Sequence, residues 1–236
     1  VTQPDGAKQL ALVIHHYAVD GVSWRVLIDD LQTLTTTEQK PLPAASMSLR
    51  AWAELLAQQG QQGARRAEES FWLEQVQETQ ALPVAKGFKE EANTLGAAVN
   101  CTRQFSAENT SRLVAAASVY NGGINDLFLA ALGFALKAWA QENHQCSLGN
   151  PVIDLEGHGR ELNADLTRTV GWLTTVFPVK LNISDLDKEH SNDLGLAILR
   201  IKETLRAMPD KGLGFGILKH LDPNSKLASL QTFGPQ

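Results

Sequence analysis

Two adjacent histidines, His15 and His16, stand just ahead of Asp20 and Gly21 in the stretch His15-His16-Tyr17-Ala18-Val19-Asp20-Gly21-Val22-Ser23-Trp24. An imidazole with an unperturbed pKa of about 6.5 is the usual side chain for moving protons at neutral pH. In extended backbone, neighbouring side chains point to opposite sides. One histidine would then face a given cavity and the other pack or hydrogen-bond inside. The residues alone also allow a plainer reading, in which both histidines sit in a core and Asp20 caps the turn.

A second cluster is Asp154-Leu155-Glu156-Gly157-His158-Gly159-Arg160-Glu161. Glycines on both sides of His158 let the backbone approach closely or take positive φ, as loops that present a side chain to a ligand often require. A solvated charged loop is the alternative. Two polar, glycine-bearing loops, each following an apolar run, are what a site between two lobes would look like. His15, His16, Asp20, Glu156 and His158 could each ligate a metal, but there is no H-E-x-x-H helix, and no metal site is expected. Gly212-Leu213-Gly214-Phe215-Gly216 lacks the spacing of a phosphate loop and predicts a tight turn into a helix or strand. Without a G-x-S-x-G motif, Ser23 is expected to be a helix cap and not a nucleophile.

The elements that must position these groups follow from periodicity. Leu10 to Ile14 is a short apolar run that predicts a buried strand ending at His15, and Val26, Leu27, Leu31 and Leu34 predict a helix over 24–34 opened by Ser23. Leu49, Trp52, Leu55 and Leu56 predict a second helix; Phe71, Trp72 and Val76 predict a third. The weakly patterned segment Leu82 to Ala97 reads as a crossing between two structural units. Alternation over Val99, Cys101, Arg103 and Phe105 predicts a half-buried strand, followed by a helix opened by Ser106. Asp126 to Trp139 predicts a largely buried helix with Phe128, Leu132, Ala135 and Trp139 on its inner face. Strands are expected over 147–153 and 177–183. Leu194, Ile198, Ile201, Leu205 and Met208 mark an amphipathic helix capped by Asp193 and ended by Pro209. Strands alternating with helices give an α/β or α+β class.

Composition narrows the function classes. With 43% hydrophobic and 20% charged residues over 236 positions, the chain can bury a sizeable core. The net charge of −5 supplies no basic field, so nucleic acid is not an expected partner. Cys101 and Cys146 are the two cysteines, too few for a disulfide framework. Apolar runs are too short to span a bilayer, and the N-terminal residues lack a signal-peptide layout, so the expected setting is the cytoplasm, without membrane contact. The sequence opens at Val1 and closes on Gln231 to Gln236 as a fragment of a larger polypeptide would.

The motif His15-His16-x-x-x-Asp20-Gly21 resembles the signature of the condensation-domain superfamily, and its continuation Val22-Ser23-Trp24-Arg25 resembles the epimerization domains of nonribosomal peptide synthetases. Glu156 to Glu161, Arg168-Thr169-Val170-Gly171-Trp172-Leu173-Thr174 through Pro178, and Lys211 to Gly216 are similar to further blocks of that branch, in the same order. The resemblance implies a chloramphenicol acetyltransferase-like α/β (α+β two-layer) fold. Residues 1–90 would be the C-terminal part of a first lobe, and 91–236 most of a second, incomplete at its C-terminus.

Further consequences of the resemblance concern function. It implies inversion at Cα of an aminoacyl or peptidyl thioester held on the 4'-phosphopantetheine of a peptidyl carrier domain, with neighbouring synthetase domains as further partners and no cofactor of the chain's own. His16 and Glu156 would be the two proton-handling residues. His15, Asp20, Gly21, Trp24 and Arg160 would support the site, with Asp20 paired to either Arg25 or Arg160. About half of a complete domain would be present, leaving an exposed edge through which copies could associate. Condensation, with peptide-bond formation, and a non-catalytic carrier-binding fragment are the competing readings.

Overall fold

The computed structural model describes residues 9–36, 41–77, 82–83, 89–161, 164–187 and 189–230. It divides into two compact units, each assembled from separate stretches of chain. The first comprises Val1–Ala67, Glu156–Phe177 and Asp210–Ala228. The second comprises Glu68–Leu155, Pro178–Pro209 and Ser229–Gln236.

In the first unit, a one-turn 3-10 helix, His16–Ala18, leads into α1, Gly21–Thr35. Asp20 caps α1 by accepting the Ser23 amide, so the expected Ser23 cap lies three residues too late. The Ser23 hydroxyl is turned inward instead. Helix α2, Leu49–Gln61, starts where Ser48 accepts the Ala51 amide. Its Trp52 joins Leu166, Leu173, Leu213 and Ile217 in a buried cluster, with Met47, Leu55, Leu56 and Ala164 packed against it. The expected tight turn into a helix falls earlier, at Pro209–Gly212, so that of the glycine-rich segment only Gly212 lies in the turn, while Gly214 and Gly216 lie inside α7, Leu213–His220. Gly212 has φ +91°, and a Cβ there would lie 1.8 Å from the Phe177 ring. Across the packed helices α2 and α7, Gly60 has no room for a side chain beside Leu221, and nearby the Arg66 guanidinium grips Asp222 through two bonds of 2.8 and 2.9 Å.

The second unit holds α3, Glu69–Val76, α4, Ala107–Val119, α5, Ile124–His144, and α6, Ser191–Ala207. Ser106 caps α4 as its position predicts. Helices α5 and α6 pack together, and the missing side chain of Gly133 makes room for Ile183. The Lys137 ammonium donates to the carbonyls of Ile183, Ser184 and Leu186 and so holds the loop that follows residue 180 against α5. The buried face of α5 carries Leu129, Ala130, Gly133, Phe134 and Ala140, whereas Phe128, Leu132 and Trp139 are exposed. The inner face is thus the opposite of the expected one, because a helix apolar nearly all round gives periodicity no single side to choose. Asp193 does not cap α6; its carboxylate accepts the Asp187 amide.

Two strands, β1 (Val152–Gly157) and β2 (Thr175–Lys180), pair as a two-stranded sheet, and the unit division falls within each. They lie displaced from the expected 147–153 and 177–183. The runs at Leu10–Ile14 and Val99–Phe105 are not strands: Val13 is 96% exposed and Val99 93%. Neither run has a partner strand among the described residues, and a strand is stabilised by its ladder and by a covered face. The class is nevertheless mixed α/β. Among the described residues, no single helix is long and apolar enough to cross a membrane.

Candidate active site

The first unit contains the histidine motif and the glutamate loop together. His15 is extended, and its Nδ1 accepts the Tyr17 amide at 3.1 Å, closing the short 3-10 turn that begins at His16. Accepting through Nδ1 requires a lone pair there, so this geometry places any proton of a neutral His15 ring on Nε2. Both histidines are exposed, so neither is the internally packed partner expected of an extended pair; the chain turns at His16 where the sequence predicts a strand end. The His16 ring meets Trp172 edge-on, with centroids 5.2 Å apart and planes at 70°. Tyr17 stacks on the same indole at 5.2 Å and 11°.

Beneath this surface lies a buried polar node. Asp20 is 4% exposed, and its Oδ1 accepts the Ser23 amide and lies within bonding distance of the Ser23 hydroxyl, each at 2.7 Å. The single Ser23 hydroxyl proton can go to Asp20 or to the Gly171 carbonyl at 2.9 Å, while Oγ accepts the Gly171 amide at 3.0 Å. Leu173 donates its amide to Asp20 Oδ2 at 3.3 Å. Arg160 Nη2 reaches both Asp20 oxygens at 3.1 Å, and its Nη1 donates to the carbonyls of Leu166 and Thr169. Of the two candidate arginines, the partner of Asp20 is therefore Arg160.

Burial by itself pushes the Asp20 carboxyl up, but the Ser23 amide and hydroxyl, the Leu173 amide and the Arg160 charge outweigh it and hold it below the ordinary carboxylate value. Asp20 stays ionised at neutral pH. A buried carboxylate so fully bonded is a structural anchor with no free oxygen for chemistry.

Glu156 lies near the end of β1 with its side chain exposed. The loop after it is fixed at several points. Gly159 has φ +67°, and a Cβ there would meet the Leu173 carbonyl oxygen at 1.6 Å. His158 Nδ1 accepts the Arg160 amide, and Glu161 Oε1 lies 2.9 Å from His158 Nε2 and 3.1 Å from Lys211 Nζ. Arg168 Nη2 grips both oxygens of Asp30 on α1, at 2.7 and 2.8 Å. No hydrogen bond or ion pair joins His16 to Glu156, and both side chains are open to solvent. Trp24 is half-buried on α1, and Gly21 opens that helix with free space where a Cβ would stand.

Ser23 and Trp172 were assigned no place in the site by their positions in the sequence. Asp20-x-x-Ser23, an acidic cap followed by a hydroxyl on the same helical turn, is the pattern that carries the node. Among the described residues no three His, Cys, Asp or Glu side chains group to hold a metal ion.

Known proteins place this arrangement in context. The family model described as "Condensation domain" matches residues 3–235. One of the linear gramicidin synthase proteins of Brevibacillus parabrevis is 40% identical over 233 residues, covering 94% of this chain and 3% of its own. Surfactin synthase subunit 2 of Bacillus subtilis is 33% identical, covering 98% of this chain and 6% of its own. Among solved structures, the epimerization domain from the third module of tyrocidine synthetase B is 34% identical with a TM-score of 0.67, over 94% of this chain and 50% of that one. The cyclization-docking bidomain from Sorangium cellulosum, at 15% identity, shares the fold with a TM-score of 0.62, over 86% of this chain and 39% of that one. The chain thus spans a small fraction of the curated relatives and half of the epimerization-domain structure. The chloramphenicol acetyltransferase-like fold expected from the motifs is the fold of these neighbours. A family match over nearly every residue, together with relatives above 30% identity across the chain, makes this protein a member of the condensation domain family.

Proposed function

We propose that this chain serves the inversion of configuration at Cα of an aminoacyl or peptidyl group carried as a thioester on the phosphopantetheine of a peptidyl carrier domain, in the cytoplasm and within nonribosomal peptide synthesis. The observation that carries the reading is the presence, in one compact unit, of two exposed proton-handling side chains, His16 and Glu156, each on a backbone element anchored from beneath. Similarity at 34% identity to a domain described as an epimerization domain supports it.

A thioester Cα–H is a weak carbon acid. Inversion calls for a base on one face of Cα, a proton donor on the other, and stabilisation of the enolate between them. His16 and Glu156 fill the two roles, each serving as base in one direction and as acid in the other. His15, Asp20 and Arg160 hold the backbone that presents them, with Gly21 and Trp24 at the start of α1. On this reading residues 1–90 belong to a first lobe and 91–236 to a second. Neighbouring synthetase domains are partners beside the carrier, and no metal or cofactor of the chain's own takes part.

The test is exchange of the Cα proton with solvent deuterium in a carrier-bound aminoacyl thioester presented to the protein. His16→Ala and Glu156→Gln are each expected to slow exchange by at least about 10²-fold; unchanged exchange in both would overturn the assignment.

Membership of the condensation domain family favours a second reading, peptide-bond formation, in which His16 positions an attacking amine. Its signature is a peptide product when donor and acceptor carriers are supplied together. Carrier binding with neither exchange nor peptide product would point to a non-catalytic binding fragment.

A further inference from the structure

We propose that Trp172 is a positioning residue for His16: its indole fixes the orientation of the exposed imidazole, and the buried Asp20–Ser23 node holds the indole in place. The proposal rests on the reading of His16 as a proton-handling group.

Among the described residues no hydrogen bond restrains the His16 side chain, and its ring contact is the edge-on approach to Trp172 at 5.2 Å. An exposed imidazole without a fixed neighbour samples several rotamers, and a misplaced base loses most of its effect. An edge-to-face pair of aromatic rings at this separation favours one mutual orientation. Tyr17, the residue after His16, stacks on the same indole and ties the short turn to it from a second direction.

Trp172 is itself 43% exposed, so deep burial does not fix it. The backbone on both sides does. The Gly171 amide donates to Ser23 Oγ, the Gly171 carbonyl lies 2.9 Å from the same oxygen, and the Leu173 amide donates to Asp20 Oδ2. Asp20 lies four residues after His16, and Trp172 lies 148 residues after Trp24 in the sequence, so the node joins the two remote segments that carry the ring pair. The motif aspartate thus acts on the motif histidine through an indole supplied by a distant loop.

The experiment combines a spectroscopic signature with kinetics in Trp172→Leu and Trp172→Phe. Histidine-labelled protein is followed by NMR, the His16 signal being assigned by its loss in His16→Gln. In the unsubstituted protein the ring current of Trp172 displaces the His16 signal from its free-residue position. Trp172→Leu is expected to return that signal toward the free position, while those of His144, His190 and His220 stay fixed and report that the fold is retained. Trp172→Phe is expected to keep part of the displacement. In the exchange assay, Trp172→Leu is expected to lower kcat by roughly 10- to 100-fold with little change in KM, and Trp172→Phe to recover most of the loss.

A His16 signal that does not move in Trp172→Leu overturns the proposal, whatever the rate does. A signal that moves while kcat holds shows a ring contact that does not position His16 for catalysis and overturns the proposal too, whereas the reading of His16 as a proton-handling group fails only if His16→Ala leaves exchange unchanged, so the two failures are distinguishable.

Discussion

Arg160 reaches both carboxylate oxygens of Asp20 through the single nitrogen Nη2, at 3.1 Å each, across 140 residues of sequence and in a place where both side chains are buried. The contact ties the histidine motif directly to the glutamate loop. Its energetic meaning lies less in the attraction itself than in the penalty for removing one half of it.

Deleting either partner strands a charge away from water. Asp20→Asn and Arg160→Met are each expected to cost about 3–5 kcal/mol, because a lone buried ion is far less tolerable than a pair. The double variant should cost clearly less than the two singles added together. Urea unfolding of the four proteins tests this, and strict additivity would mean the pair is energetically uncoupled.

The same node makes stability depend on acid. The Asp20 carboxyl is held below its ordinary value in the folded chain, so on acidification the unfolded chain takes up its proton first. Its contribution is complete above the ordinary carboxylate pKa of about 4 and is lost as pH falls through the lower folded value. Asp222, held down chiefly by its bonds to the Arg66 guanidinium, follows the same direction. The urea midpoint should therefore fall steeply below about pH 4, and less steeply in Asp20→Asn. An identical slope in the variant would contradict the assignment.

Gly159→Ala is expected to be among the most damaging single changes in the loop. It adds a Cβ in left-handed backbone, φ +67°, against the Leu173 carbonyl oxygen. Strain of this kind costs about 3 kcal/mol or more, a fall in melting temperature of roughly 6–12 °C. A melting curve unchanged by the substitution would show that the loop relaxes freely.

Ser23→Ala should loosen one segment in particular. The Gly171 amide loses its acceptor and should exchange with solvent faster, while the Leu173 amide, bonded to Asp20, should change less. The lost buried bonds cost about 1–3 kcal/mol overall. Amide exchange read residue by residue distinguishes this from a general loss of stability, which would raise both amides alike.

Helices were legible in the sequence where one face is apolar, as in α2, or where a cap precedes the helix, as Ser106 precedes α4. Strands were less so. Leu10–Ile14 and Val99–Phe105 have the composition of strands, but a strand exists only with a partner, and pattern within one segment carries no information about the partner. That His15, His16 and Glu156 are candidates for proton chemistry was visible from residue type and neighbours, and the choice of His16 and Glu156 among them rests on the resemblance. The node beneath was legible in part: the resemblance offered Asp20 an arginine, Arg25 or Arg160, without deciding between them, and the bonds of Ser23 to Gly171 depend on chain folding across more than a hundred positions, which spacing does not encode. Of the two arginines considered, Arg25 lies nearer in sequence, on the exposed side of α1.

The first unit draws on three stretches of chain, the last of them ending at Ala228. A ribosome adding about 5–20 residues per second needs roughly 7 to 30 s to travel from Asp20 to Arg160. Throughout that interval the motif aspartate has been made, but its guanidinium has not. The site is thus a late product of translation: its first half must wait, solvated and unassembled, for its second, and the rate at which the intervening polypeptide is synthesised sets the earliest moment at which the histidine can be held in place.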